Sequence, residues 1–343
     1  MRGEHYEVQL LTLGGSFDKV LTALPGGSVT ASRSADIVRS ASLSVLDTAV
    51  PWESSLVRVM YVSSEFSKAL ITGLPSVGDD FAYKGRTATR LEVYDITDAL
   101  RSDRLQIAFG VAAGTNIVER VKEIIEEAFP LATVSIPDSP ATLAADLVFE
   151  VDTPKLDVVD DLLKAAGYER LTADGMGVLH SAPVLDDAFK PVSERYANDA
   201  TSLIAASGVT RSTNRADVPN RLKGIRRPAA PSTPADVYIA ENTDPASPFS
   251  YAGRGYRWID GTTLTDVDAA DYEVFKSIVE DELKRRTKVA SEFSFSHPVG
   301  NYDVGDVVTF SHSLLTEAPL RCTAEELVYT LKVGAMVKGR YAE

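Results

Sequence analysis

Four histidines (His5, His180, His297, His312) and one cysteine (Cys322) are the residues of this 343-residue chain with the most distinctive chemistry. Zinc sites need His or Cys ligands at short paired spacings, and the sequence holds neither H-E-x-x-H nor C-x-x-C. The histidines therefore read as structural or solvated, and Cys322 as a small buried residue. "GVAAGT" (110–115) has the outline of a phosphate loop but is one residue short and lacks the lysine, so it reads as a turn entering a helix. "DVDAAD" (266–271) is half a calcium loop without the central glycine or closing glutamate, and acids at a helix start account for it. With 49 acids some carboxylate pair always exists, so that is no argument for glycoside hydrolysis. Sugar sites also favour exposed aromatic platforms, and the tryptophans are only Trp52 and Trp258. No G-x-S-x-G elbow occurs. The expectation is a non-enzyme with no cofactor and no metal.

Two other patterns point to contact rather than catalysis. In "IVRSASLSVLD" (37–47), Ser40, Ser42 and Ser44 alternate with Ala41, Leu43 and Val45, with Arg39 before the row and Asp47 after it. Period two predicts a strand with one buried face and one face of hydroxyls. Arg211, Arg215, Arg221, Lys223, Arg226 and Arg227 fall within 17 residues, against Asp217 alone. They lie in "RSTNRADVPNRLKGIRRPAAPSTP", rich in Pro, Asn, Ser and Arg, which reads as a loop. Such a basic segment is either a solvated loop or an arm that docks on an acidic neighbour.

The background is acidic: net charge is −14 and the pI about 4.8. A protein that binds nucleic acid freely carries a basic footprint, absent here. An acidic wall does suit a passage through which DNA slides without sticking. One cysteine excludes an intrachain disulfide framework. "MRGEHYEVQLLTLGG" lacks the apolar core of a signal peptide, and no run approaches a membrane span, so synthesis in a cytoplasm and no stable membrane binding are expected.

The elements that must carry these residues read as follows. "EVQLLTL", "RSASLSVL", "SLVRVMYVSS" and "RLQIAFGV" predict strands, separated by turn-rich "ALPGGS", "TAVPWES" and "LPSVGDD". Their spacing suggests an antiparallel barrel or sandwich. "GTNIVERVKEIIEEAFP" predicts a helix burying Ile117, Val118, Val121, Ile124, Ile125 and Ala128, capped by Thr115 or Asn116. "DTPKLDVVDDLLKAAG" predicts a second, with Thr153 as cap, Pro154 first and Gly167 at its close. "YERLTADGMGVLHSAP" reads as a hairpin turning near Asp174-Gly175. "DAADYEVFKSIVEDELKRRTK" predicts the longest helix, with Tyr272, Phe275, Ile278, Val279 and Leu283 on its apolar face. "ASEFSFSHP", "DVVTFSHS", "PLRCTA" and "LVYTLKVGAMVKG" return to strands, so the class is α+β.

Four phrases in this order carry a resemblance: "RSADIVRSASLSVLD", "VAAGTNIVERVKEIIEEAF", "LVFEVDTPKLDVVDDLLKAAGYERLTADGMGVLHSAP" and "NYDVGDVVTF". Over roughly residues 30 to 340 the chain resembles the tail hub, or baseplate hub, proteins of long-tailed bacteriophages, often called minor tail proteins. The resemblance implies two antiparallel, tail-tube-like β-barrel domains with an α/β decorating region. The first barrel would span 1–110 and the α/β module 111–184. The second barrel would join 185–235 to 289–343. An inserted strand, loop and long helix at 236–288 would pack with the α/β module.

The resemblance also implies a function. Three copies form a ring at the tail tip, joining the sixfold tail tube or distal tail ring to threefold tip, fibre or spike proteins. The ring forms part of the DNA channel, so DNA is met only in transit, and the tape measure protein is a further neighbour. The place is the virion tail tip, after synthesis in the host bacterial cytoplasm. Some larger relatives carry a C-terminal lysozyme or peptidase module; this chain ends at "KGRYAE" after the β region, so none is expected. The rival readings are a hexameric distal tail ring protein and a tail-associated glycan hydrolase or adhesin. Under the hub reading the seryl row fits a subunit interface or lumen wall. The expected interface residues are Arg39, Ser40, Ser42, Ser44, Arg211, Arg215, Arg221, Lys223, Arg226 and Arg227.

Overall fold

A computed structural model describes residues 4–46, 49–185, 187, 189–199, 204, 208–213, 217–226, 235–267, 272–287, 291–316 and 318–343. The chain is α+β, mostly antiparallel sheet, with four helices among the described residues. It divides into two units: Met1–Val209 with Ser294–Tyr341, and Thr210–Phe293 with Ala342–Glu343.

The first unit begins with seven strands: β1 (His5–Thr12), β2 (Phe17–Leu21), β3 (Ser28–Ser32), β4 (Arg39–Val45), β5 (Ser55–Val62), β6 (Ser67–Tyr83) and β7 (Arg86–Asp95). They pair in the order β2-β1-β5-β6-β7-β4-β3. The stretch after β2 returns to β4: Leu24 N–H donates to Ser44 O at 2.7 Å and Leu46 N–H to Thr22 O at 2.9 Å. "LPSVGDD", expected as a turn, lies inside β6. The chain turns later, at Lys84-Gly85, where both residues take positive φ, the backbone a two-residue hairpin loop requires.

Helix α1 (Thr97–Ser102) leads into the α/β segment. Of "RLQIAFGV" only Phe109–Val111 is a strand, β8. It pairs with β10 (Leu147–Phe149) rather than with the first seven strands, and Ile107 is left exposed. Helix α2 (Ile117–Ala128) starts where expected, with Asn116 Oδ1 accepting Glu119 N–H at 3.1 Å. Helix α3 (Lys155–Ala165) corrects an expectation: Pro154 is the cap residue, and the Thr153 hydroxyl donates to Glu150 O instead. β9 (Thr133–Ser135) lies parallel to β12 (Val178–His180), which turns back on β11 (Thr172–Ala173). The Asp174 carboxylate ties that turn by accepting Met176 N–H and Val178 N–H, both at 2.9 Å. Leu156, Val159, Leu162 and Leu163 of α3 meet Val118, Val121 and Ile125 of α2 in a core that continues to Leu11, Leu56 and Ile96.

The unit closes with β13 (Val192–Ala197) and late strands of the chain. β13 runs parallel to β19 (Val307–Ser311), which pairs with the first half of β20 (Leu320–Thr330). The second half of β20, Glu326–Thr330, pairs with β3. One strand thus joins the late strands to the early sheet. β21 (Val337–Ala342) and β18 (Ser291–His297) follow beyond β20.

In the second unit, after β14 (Thr210–Thr213), β15 (Arg221–Arg226) lies between β16 (Val237–Glu241) and β17 (Leu264–Val267), and helix α4 (Tyr272–Thr287) packs on one face. Its core is Leu222, Ala240, Phe275, Val279 and Leu283. Of the expected helix face, Tyr272 and Ile278 remain exposed. β15 corrects the loop reading of the basic segment over Arg221–Arg226, and β14 does so over residues 211–213; residues 214–216 and 227–234 lie outside the described residues. Gly224 is buried against the helix, and a Cβ there would sit 2.4 Å from Val279 Cγ2. The glycine is a close-packing position within a strand, not a flexible link. Among the described residues no helix is long and apolar enough to cross a membrane.

Candidate interaction surfaces

The seryl strand alternates as its sequence demands. Ala41, Leu43 and Val45 are buried beside Val29, Ala31, Leu91 and Val93. Ser40, Ser42 and Ser44 face the other way. Ser42 stands opposite Ser28 and Glu92 and donates to Glu92 Oε1 at 2.8 Å; Ser40 stands opposite Thr30 and Tyr94, and Ser44 opposite Arg90. The result is a small-residue, hydroxyl-rich face with charges at its edge.

Arg39 leaves that face. It has the parity of the apolar residues and is 3% exposed. Its Nε donates to Ala173 O at 2.9 Å and its Nη1 to Leu70 O at 3.1 Å, and Nη2 bonds and pairs with Asp303. Its backbone N–H donates to Asp95 Oδ2 at 2.8 Å. The guanidinium is filled from within the unit, tying β4, β6, the β11 end and the turn before β19 together. A fork of five donors suits such multi-point binding.

Three arginines of the basic segment are likewise engaged within the chain. Arg221 makes a two-point contact with Asp260, Nε–Oδ1 at 2.6 Å and Nη2–Oδ2 at 3.0 Å, and its guanidinium lies 5.1 Å over the Trp258 ring. The same bond holds the Asp260 carboxyl below its usual range. Arg226 pairs with Asp236 at 3.2 Å. Exposed Arg211 reaches Ser291 Oγ at 2.9 Å and lies 5.7 Å over Phe293. Lys223 is exposed. Arg215, Arg227 and Asp47 lie outside the described residues.

A buried polar cluster in the first unit escaped sequence reasoning. The Nδ1 of His297 lies 2.6 Å from Pro298 O, and its Nε2 lies 2.5 Å from the Tyr341 hydroxyl and 3.1 Å from that of Tyr302. The Tyr196 hydroxyl donates to that of Tyr302 at 3.1 Å. Burial pushes His297 down to about 4 and raises all three tyrosines. Lys68 adds its ammonium, bonded to Gly300 O at 3.1 Å, to Tyr302 O and to the Tyr329 hydroxyl at 3.2 Å; burial pulls it down to about 8. Tyr302 follows His297 by five residues, but Lys68, Tyr196 and Tyr341 come from other strands far along the chain. Both nitrogens of His297 are occupied by protein groups, so the cluster joins strands rather than offering a base to solvent.

A cleft of about 510 Å³ opens nearby, lined by Arg33, Arg39, Arg170, His180, Lys190 and Asp303 among others. Its cations are engaged: Arg33 with Glu169 and Glu325, Lys190 with Glu169 and Asp187, and Arg170 with Ala35 O. The Ser181 hydroxyl beside His180 donates to Glu169 O at 2.5 Å, so it is directed away from nucleophilic use. No group of three potential metal ligands occurs among the described residues.

No protein-family model and no curated protein matches the chain. Solved structures do, at the level of fold. A tail protein from Neisseria meningitidis MC58 superposes with a TM-score of 0.66 at 10% identity, covering 99% of this chain and 97% of that one. The 43 kDa tail protein of prophage MuSo2 from Shewanella oneidensis gives 0.64 at 11% identity, covering 98% of both. The E. coli c3393 protein gives 0.52 at 9% identity, covering 94% of this chain and 73% of that one. It is a type VI secretion component with structural similarity to the T4 bacteriophage tail proteins gp27 and gp5. Along nearly its whole length, this chain has the fold of phage tail proteins.

Proposed function

We propose that this chain is a non-enzymatic structural hub of a phage tail tip. Three copies form a ring joining the sixfold tail tube or distal tail ring to threefold tip, fibre or spike proteins, with the tape measure protein as a neighbour. The observation that carries this reading is the fold match over 99% of the chain to a tail protein.

Other features support the details. The return of the β2 extension to β4 supports a barrel in residues 1–110. A second barrel from 185–235 and 289–343 would double it, and three times two would match a sixfold partner. The α/β module 111–184 and the insertion 236–288 decorate them. The net charge of −14 suits a channel wall that passes DNA without holding it. The face of Ser40, Ser42 and Ser44 lets another backbone approach closely. Arg211, Arg215, Arg221, Lys223, Arg226 and Arg227 sit in the basic segment that would meet acidic neighbours, whereas Arg39 supports the interface from inside.

Copy number is the test. Native mass measurement or a reconstruction of intact tail tips should give three copies per tail. Six copies would replace the hub with a distal tail ring protein, and hydrolysis of host cell-wall glycans by the purified chain would overturn the non-enzymatic reading.

A further inference from the structure

We propose that the open face of the β15–β16 sheet docks a second copy of this chain, which meets it with the acidic surface of its first unit. This rests on the ring reading above. Helix α4 covers one face of the sheet, toward which Leu222, Gly224 and Ala240 point. The register sets Ile225 opposite Val237, Lys223 opposite Ile239 and Arg221 opposite Glu241, so these six share the other face, with Arg221 already held by Asp260 at its end. Val237 is 48% and Ile239 49% exposed, and the exposed Lys223 side chain makes no hydrogen bond or ion pair among the described residues. Three β-branched side chains, Ile225, Val237 and Ile239, around the Lys223 cation make a surface that gains by being covered, provided the cation finds a carboxylate.

Charge selects the occupant. The second unit holds 13 Lys and Arg against 14 Asp and Glu, so nearly all of the −14 falls on the first unit. Two first units brought face to face repel; a near-neutral unit facing an acidic one does not, and the acidic one supplies the carboxylate for Lys223. Symmetry selects further. A surface that meets its own copy closes as a dimer, whereas a ring of three needs two different surfaces in contact.

The test uses Ile239→Cys. Cys322 is 1% exposed, so position 239 carries the reactive surface thiol. A photoactivatable cross-linker is attached there, tail tips are assembled from mixed isotope-labelled copies, and cross-linked peptides are identified. The expected result is linkage between copies to residues 4–209 or 294–341. The double variant Val237→Asp/Ile239→Asp should lower incorporation about tenfold or more while the isolated chain keeps its unfolding midpoint. Linkage to another tail protein, to residues 210–293 of another copy, or to nothing in assembled tips overturns the proposal. Copy number separates the two claims. Three copies with linkage to a different protein leaves the hub standing and sinks the docking face; six copies with first-unit linkage does the reverse.

Discussion

The two units treat charge in opposite ways. In the first, Arg39 is buried and Lys68 half-buried among carbonyls, hydroxyls and Asp303. In the second, Arg221 and Arg226 meet Asp260 and Asp236 at the surface. The contrast teaches that an arginine–aspartate pair has no fixed meaning. Where water is excluded, every donor must find a partner and losing one is expensive. Where water remains, it competes for the same groups and the pair is nearly dispensable.

Arg39→Met should have the largest effect. It removes the three side-chain contacts, leaves the backbone bond to Asp95 in place, and strands Asp303 and two carbonyls. Truncating one partner of a buried pair costs about 3–5 kcal/mol. Chemical denaturation should show the first unit destabilised on that scale. A cost near zero would mean that Arg39 is wetter than its 3% exposure indicates.

His297 comes next, and its sign follows from its shift. Its folded value, about 4, lies below the unfolded 6.5, so folding favours the neutral ring. Its contribution is fully present above pH 6.5 and is lost as pH falls toward 4, by about 3 kcal/mol at 1.36 kcal/mol per unit. Asp160 runs the other way, raised by burial to about 6, so the wild-type profile alone mixes the two. The measurement is therefore the difference in stability between wild type and His297→Gln from pH 7 to 4. The gap should narrow as pH falls; a constant gap would place His297 outside the acid response.

The smallest effect belongs to Arg221→Gln. Its pair with Asp260 is solvated on both sides, so the unfolding midpoint of the isolated chain should stay within experimental error. A loss approaching that of Arg39→Met would erase the contrast between the units. A normal midpoint with impaired tail-tip assembly would sharpen it, leaving Arg221 free to serve a contact between copies.

Local pattern made much of the fold legible. Alternation identified β4 and its two faces, and period 3.6 identified α2 and α3 with the side chains that meet in their common core. The Asn116 cap and the turn at Asp174 were readable because their bonds span only a few residues. The candidate surfaces were readable in part. The seryl row was, since every second residue of a strand shares a face. Arg39 was misjudged because its neighbours in sequence do not reveal that Ala173 and Asp303 close over it.

Composition misled at β15 and β6. Prolines, glycines and arginines suggested loops, but Gly224 is there to admit Val279, and β6 runs through "LPSVGDD" because β7 pairs with it along most of its length. By itself the sequence determined which residues alternate, which face of a helix is apolar, and that the chain is acidic with one cysteine. The tertiary structure alone decided that Arg39 is internal, that Tyr196, Tyr302 and Tyr341 gather around His297 with Lys68 beside them, and that Arg221–Arg226 is the middle strand of a sheet. Periodicity states that a face is to be buried; the residue that buries it arrives from another element, for Arg39 from Ala173 and Asp303, and no local pattern names it.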